Sequence, residues 1–240
     1  NNKTDFDIEY AIKNSIGYFI VDGMEELERI DEYAGAAGIR QKILLRITPG
    51  IDPHTHKKIS TGGVDSKFGS AIETGLADKI TGAALSKLNI ELAGFHCHIG
   101  SQIFDIEPYT LAADIMIGFI ADMRDKYGFT AQILNLGGGF GVRYVESDPE
   151  IDITENIKNI AAHIKAKCAE HDVKMPRILM EPGRSIVADS GMTLYTVGSV
   201  KEIEGFKNYV SIDGGMTDNP RYTLYQSAYT LLLANKADAS

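Results

Sequence analysis

Five short blocks concentrate the residues able to do chemistry: Phe95-His96-Cys97-His98-Ile99-Gly100-Ser101-Gln102, Leu136-Gly137-Gly138-Gly139-Phe140, Glu181-Pro182-Gly183-Arg184, Asp213-Gly214-Gly215-Met216 and Asp218-Asn219-Pro220-Arg221. Four of them close an apolar run, and the fifth follows the fourth almost at once. The ends of parallel strands are where an α/β barrel assembles its active site. A histidine pair, a triple glycine, a carboxylate and two arginines gathered there suit an anionic cofactor that carries a ring nitrogen.

His96 and His98 lie two apart, so on a strand they share a face and Cys97 takes the other. Their imidazoles could stack on, or bond to, a planar cofactor. Neutral imidazole is also the commonest metal ligand. A metal hydrolase, however, needs further ligands at other strand ends, and His54, His56, His163 and His171 fall in a loop or on a helix. An ordinary core histidine is the plain alternative for each ring, and packing is the reading for Cys97. Ser101 follows Gly100 just past the run. A hydroxyl and free N–H groups at such a turn hold phosphate oxygens, or the serine simply caps a helix.

Gly137, Gly138 and Gly139 cost conformational entropy. That favours a backbone approaching an anion over a bare tight turn. Glu181 ends an apolar run, Pro182 fixes the backbone and Gly183 clears space. A partly desolvated carboxylate there needs a cationic or N–H partner to stay ionised. Arg184 is one candidate partner. The alternative gives Glu181 to a protonated ring nitrogen and leaves Arg184 for an anionic group of cofactor or substrate. Arg221 follows Asn219-Pro220, with Tyr225 four residues on. An arginine on such a loop can grip a carboxylate bidentately, or stand exposed. Helix charges such as Glu25, Glu26, Glu28, Arg29, Lys165 and Lys167 read as solvated faces. Tyr144 carries no legible signal.

Apolar periodicity supplies the scaffold for these blocks. Strands are expected at Tyr18–Asp22, Lys42–Ile47, Glu91–His98, Gln132–Leu136 and Arg177–Met180. Helices are expected at Met24–Gly38, Ser70–Lys87, Pro108–Tyr127 and Ile153–His171. Residues 51–69 read as a long polar loop, and Asn1-Asn2-Lys3-Thr4-Asp5 as a polar turn in the interior of a longer protein. Strands alternating with helices predict parallel β structure with right-handed crossovers. After Arg184 the rhythm changes. Leu194–Ile203 and Tyr209–Ile212 are strands with no helix between them, a hairpin or the start of a β-rich domain. The expected domains are residues 1–190, part of a barrel, and 191–240, the start of a β domain.

Composition narrows the function classes. The 240 residues, 44% hydrophobic, suffice for one large core. A net charge of −9 with no basic block disfavours nucleic acid and acidic membrane surfaces as partners. No apolar run approaches the ~20 residues that span a bilayer, and no signal peptide is visible. Two cysteines make no disulfide framework, so a reducing cytoplasm is expected.

Together the blocks resemble those of the alanine-racemase-like family of pyridoxal-phosphate enzymes, in its group of basic amino-acid decarboxylases. The doubled histidine of residues 95–102, Glu181-Pro182-Gly183-Arg184, and Asp218-Asn219-Pro220-Arg221 with Tyr225 carry the likeness, which covers nearly the whole chain. It implies an α/β fold: a partial (β/α)8 TIM barrel, about strands 4 to 8, followed by the first strands of a β domain. Tyr18–Asp22 resembles the fourth barrel strand and Arg177–Met180 the eighth.

The resemblance further implies pyridoxal 5'-phosphate as cofactor. His98 would stack on the pyridine ring, Ser101, Gly137, Gly138 and Gly139 would hold the phosphate, and Glu181 would face the ring nitrogen. Pro182, Gly183 and Arg184 would lie beside the cofactor. Arg184, Arg221 and Tyr225 match positions that bind substrate carboxylates. The implied reaction is decarboxylation of meso-2,6-diaminopimelate to L-lysine in a cytoplasmic homodimer with shared active sites and no metal. A non-catalytic pyridoxal-phosphate-binding barrel, or a decarboxylase of another basic amino acid such as carboxynorspermidine, are the other readings. The family's cofactor-bearing lysine and catalytic cysteine have no counterpart here. Ala234-Asn235-Lys236-Ala237 lies at the wrong end, and neither Cys97 nor Cys168 matches. These residues alone are expected to be inactive, with two sheet edges that need covering.

Overall fold

A computed structural model describes residues 2–51 and 66–236. His54, His56, Ala237 and most of the polar stretch expected over 51–69 lie outside the described residues. The chain forms two compact units, residues 1–141 with 151–183, and residues 142–150 with 184–240.

The first unit runs α1 (Asp5–Lys13), β1 (Phe19–Val21), α2 (Met24–Ala36), β2 (Gln41–Thr48), β3 (Ser70–Ala71), α3 (Leu76–Ser86), β4 (Ile90–His96), α4 (Glu107–Tyr127), β5 (Ile133–Asn135), α5 (Ile153–Glu170) and β6 (Arg177–Leu179). Its main sheet has the order β1-β2-β4-β5-β6 and every pair is parallel. This is the α/β architecture of part of a (β/α)8 barrel, left open between β1 and β6.

Alternation along the strands sorts the side chains onto two faces. Ile43, Leu45, Phe95, Cys97 and Leu134 are buried in the large core together with Leu27 and Ile30 of α2 and Met116, Ile117 and Ile120 of α4. Leu44, Ala93 and Ile133 form a second, small cluster on the opposite face, with Tyr18, Ile20 and Leu179 packed against it. The sheet thus has an apolar floor on the face away from the large core, and the polar strand ends come next along each chain.

Four expectations give way. A helix, α1, follows the opening residues where none was expected. Thr4 and Asp7 close a capping box, in which Thr4 Oγ1 accepts the Asp7 N–H at 3.2 Å and Asp7 Oδ2 accepts the Thr4 N–H at 2.9 Å. Ser70 and Ala71 do not begin a helix. They pair with Ile47 and Thr48 in parallel, and α3 starts only at Leu76. The third long strand ends at His96, so His98 stands on the loop beyond it. Glu26 is buried rather than solvated: its carboxylate pairs with Lys3 Nζ at 3.0 Å and accepts the Asp22 N–H at 2.7 Å.

In the second unit, the antiparallel hairpin β7 (Val197–Ile203) and β8 (Lys207–Ile212) turns through Gly205, whose φ of +75° suits glycine. Asp213 closes the hairpin base, its Oδ1 accepting the Thr196 N–H at 2.8 Å. That bond holds the Asp213 carboxyl below its ordinary value. Two short helices complete the chain, α6 (Gly183–Val187) at the boundary of the units and α7 (Arg221–Tyr225). No helix among the described residues is long and apolar enough to cross a membrane.

Candidate functional site

Five polar residues stand one per strand at the C-terminal edge of the first unit's sheet: Asp22, Arg46, His96, Asn135 and Glu181. Their alignment follows from register. Arg46 pairs with His96 and His96 with Asn135, so these side chains leave the sheet on one face. Asp22 and Glu181 follow β1 and β6 on the same parity.

The row is joined by contacts. Arg46 Nη1 lies 3.6 Å from Asp22 Oδ1. His96 Nε2 lies 3.6 Å from Glu181 Oε1, and Asn135 Nδ2 donates to that same oxygen at 2.7 Å. His96, followed by the bond from Asn135, draws the Glu181 carboxyl down to about 2 against the opposing pull of desolvation. Glu181 is therefore ionised at neutral pH, although half its side chain faces solvent. His96 Nδ1 is buried with no hydrogen-bond partner among the described residues.

The glycine turn is fastened to this row. Asn135 Oδ1 accepts the Gly137 N–H at 2.8 Å, and Gly137 O accepts the Glu181 N–H at 2.7 Å. His98 Nδ1 takes the Gly138 N–H at 3.3 Å. Burial, then the charge of Arg46, then His96 push the His98 imidazole down to about 4, with Glu181 opposing, so the ring is neutral. Each glycine is required by neighbouring protein. A methyl on Gly138 would overlap the Glu181 carbonyl, one on Gly139 the Gly100 carbonyl, and one on Gly137 the Cys97 carbonyl at 2.6 Å. Tight strand-to-loop packing thus accounts for the three glycines by itself, and a ligand is a second demand on the same backbone. Among the described residues, the N–H groups of Gly100, Ser101 and Gly139 have no protein acceptor.

Of the residues singled out from sequence, the first unit therefore gathers His98, Gly137, Gly138, Gly139 and Glu181, with Ser101 adjacent to Gly100 and Pro182-Gly183 continuing from Glu181. Cys97 faces the helix-side core, and burial pushes its thiol up to about 12. His163 sits on α5 against Asp114 of α4 at 2.6 Å.

Arg184, Arg221 and Tyr225 belong to the second unit. Arg184 Nη1 donates to Tyr144 Oη at 2.8 Å, and its Cζ lies 5.9 Å from that ring's centre. Arg221 Cζ lies 5.8 Å from the Tyr144 ring and 5.7 Å from the Tyr225 ring. Two guanidinium groups share one aromatic platform, an arrangement that orients cations while leaving donors for an anion.

Sequence reasoning passed over Asp22, Arg46, Asn135 and Tyr144. The first three were within reach, because each closes or follows an apolar run on the same parity as a residue already singled out. Tyr144 had no such signal, since its partners come from elsewhere in the chain.

A sequence model of the family described as pyridoxal-dependent decarboxylase, pyridoxal binding domain, matches residues 1–188. The diaminopimelate decarboxylase of Bacillus methanolicus is 44% identical over 236 residues, which are 98% of this chain and 55% of that protein. The crystal structure of the Helicobacter pylori diaminopimelate decarboxylase complexed with L-lysine superposes with a TM-score of 0.83 at 32% identity, covering 97% of this chain and 56% of that one. The M. jannaschii diaminopimelate decarboxylase in co-complex with L-lysine gives a TM-score of 0.81 at 35% identity, over 96% and 52%. The chain spans about half the length of the relatives it matches.

Proposed function

The chain belongs to the pyridoxal-dependent decarboxylases, through their pyridoxal-binding domain, and from that premise we propose that the protein decarboxylates meso-2,6-diaminopimelate to L-lysine with pyridoxal 5'-phosphate. The observation that carries the reading is the ionised Glu181, tied through Asn135 to the glycine turn and set beside a neutral imidazole. The relatives named above bear that activity in their names, and two of them hold L-lysine.

The residues fit the cofactor. Glu181 offers a full negative charge to a protonated pyridine nitrogen. His98, uncharged, can lie against the ring without repelling that proton. The N–H groups of Gly100, Ser101 and Gly139, which have no protein acceptor among the described residues, suit the phosphate together with the Ser101 hydroxyl. When bound, the protonated ring supplies an acceptor for the electrons left as CO2 departs.

The chain's own groups do the rest. Asn135 keeps the Glu181 carboxylate fixed in place and the turn closed. Pro182 and Gly183 shape the exit from that carboxylate. Arg184 and Arg221, steadied by Tyr144 and Tyr225, would grip substrate carboxylates, and this orientation lowers the entropy cost of reaching the reactive arrangement. The reading includes a cytoplasmic homodimer. It is supported by the two free thiols, Cys97 and Cys168, and by exposed apolar side chains of the second unit such as Met192, Leu194 and Val200.

Titration of the protein with pyridoxal phosphate, followed by absorbance, tests the cofactor. Saturable uptake that E181Q weakens roughly ten- to a hundredfold is expected, in line with the ~1.5–3 kcal/mol of a hydrogen bond to a charged group. Release of CO2 from meso-2,6-diaminopimelate by the full-length protein tests the reaction. No uptake, or equal uptake by E181Q, would overturn the reading.

A further inference from the structure

The backbone of the glycine turn is held peptide by peptide. In the Gly137–Gly138 peptide, the carbonyl accepts the Glu181 N–H at 2.7 Å and the N–H donates to His98 Nδ1 at 3.3 Å. In the Gly139–Phe140 peptide, the carbonyl accepts the Ile103 N–H at 2.9 Å, and Ile103 O takes the Gly141 N–H at 2.9 Å. The peptide between them has one hold among the described residues: Gly138 O accepts from Tyr109 Oη at 3.4 Å. Its other polar group is the Gly139 N–H, which has no protein acceptor among the described residues.

Glycine on both sides leaves this middle peptide the least constrained of the three. Gly139 has a φ of +105°, and a half-turn of the peptide would carry it to a value that is equally open to a residue without Cβ. Tyr109 is placed to choose between the two senses. It lies in the first turn of α4, is 1% exposed, and stacks on Phe140 with ring centres 4.7 Å apart and planes 14° from parallel. The stack fixes where the hydroxyl points, and that hydroxyl has no other hydrogen-bond partner among the described residues. Burial pushes the phenol well above its ordinary value, so the hydroxyl keeps its proton and donates. With the peptide reversed, the hydroxyl could only accept, and its buried proton would have nothing to bond.

A trans peptide sends its N–H the opposite way to its C=O. Drawing Gly138 O toward α4 therefore turns the Gly139 N–H away from the helix side. Gly138 is buried and Gly139 partly exposed, in keeping with that sense. Gly139 packs so closely on Gly100 that a methyl would overlap the Gly100 carbonyl, so its N–H belongs to the same corner as those of Gly100 and Ser101. Resting on the cofactor reading above, we infer that Tyr109 is a positioning residue that sets the sense of the Gly138–Gly139 peptide and so aims the Gly139 N–H at the cofactor's phosphate. It touches no reacting group. Its effect passes through one backbone unit and falls on phosphate recognition alone.

Paired absorbance titrations of the full-length protein with pyridoxal 5'-phosphate and with pyridoxal, which lacks the phosphate, test this. Y109F keeps the stacked ring and removes the hydroxyl. It should weaken binding of pyridoxal phosphate roughly three- to tenfold and leave pyridoxal at the parent value, with parental circular dichroism. A merely structural role would weaken both alike. Equal losses, or no loss for pyridoxal phosphate, overturn the inference. A second readout needs no cofactor: the residual dipolar coupling of the Gly139 N–H in the unliganded protein should change in Y109F, while those of Ile103 and Gly141 stay. An unmoved Gly139 coupling overturns the inference even where the E181Q titration upholds the cofactor reading. A changed coupling upholds it even where no pyridoxal phosphate binds. If Y109F does not fold, the parent coupling decides: agreement with the stated sense upholds the inference, and a reversed or averaged peptide overturns it.

Discussion

Asn135 binds Glu181 with one end of its amide and the glycine turn with the other: Nδ2 donates to Glu181 Oε1 at 2.7 Å, and Oδ1 accepts the Gly137 N–H at 2.8 Å. Replacing it by alanine removes both links and strands a buried N–H. N135A should lose about 1–3 kcal/mol of stability and bind pyridoxal phosphate more weakly. Urea denaturation and absorbance titration check the two effects. N135D keeps the acceptor but sets a second carboxylate beside Glu181, so it should hold the turn and still lose cofactor affinity.

Gly138 has no room for a methyl, because the Glu181 carbonyl occupies that position. G138A should cost at least ~1–3 kcal/mol through overpacking against backbone. G118A is the matched control. Gly118 lies in α4 with open space where a methyl would go, and removing a mid-helix glycine should stabilise by about 0.5–1 kcal/mol. Thermal melts of the two variants should move in opposite directions.

Acid should weaken the fold in two stages. Folding depresses the His98 imidazole from 6.5 to about 4, so the unfolded chain takes up the proton first and stability falls as pH drops through that interval. The Glu181 carboxyl is depressed from 4.5 to about 2, so its contribution, present above 4.5, disappears between those values. Urea midpoints measured from pH 7.5 to 2.5 should show both declines, with H98Q flattening the upper one and E181Q the lower.

Neither thiol should react in the native protein. Complete burial pushes Cys97 up to about 12, and burial also raises Cys168; the thiolate is the reactive form. A chromogenic disulfide reagent should titrate no cysteine before denaturation and two after it. Prompt reaction of Cys97 in native buffer would contradict its place in the core.

Tyr144 should matter through its hydroxyl and its ring separately. In the full-length protein, Y144F removes the acceptor for Arg184 and should raise KM for meso-2,6-diaminopimelate several-fold. Y144A also removes the surface under Arg221 and should raise it further. Steady-state kinetics on both variants separates the two contributions.

Much of this arrangement was legible in the sequence. The strands expected at Lys42–Ile47 and Glu91–His98 lie within two residues of those bounds, and the glycines after Leu136 marked a close approach. Other features were hidden for physical reasons. Ser70–Ala71 is too short a strand to show a period. The Asp5–Lys13 helix leaves Phe6 and Tyr10 exposed, which blurs its apolar stripe, and without that helix the pairing of Glu26 with Lys3 could not be foreseen. Asp213, read from sequence only as the start of a glycine turn, also clasps the base of a hairpin. Arg46 sat in plain view at the end of an apolar run, yet its meaning depends on register with His96, which spacing alone does not give.

The alternation of Leu44, Leu45, Arg46 and Ile47 along one strand also limits what evolution or an engineer can do here. Deleting a single amino acid upstream in that strand would rotate the guanidinium toward the helices and thrust the sec-butyl group of Ile47 among the imidazoles. Chemistry and foldability would be lost in the same event, so indels should be confined to the loops while these short strands change by substitution alone.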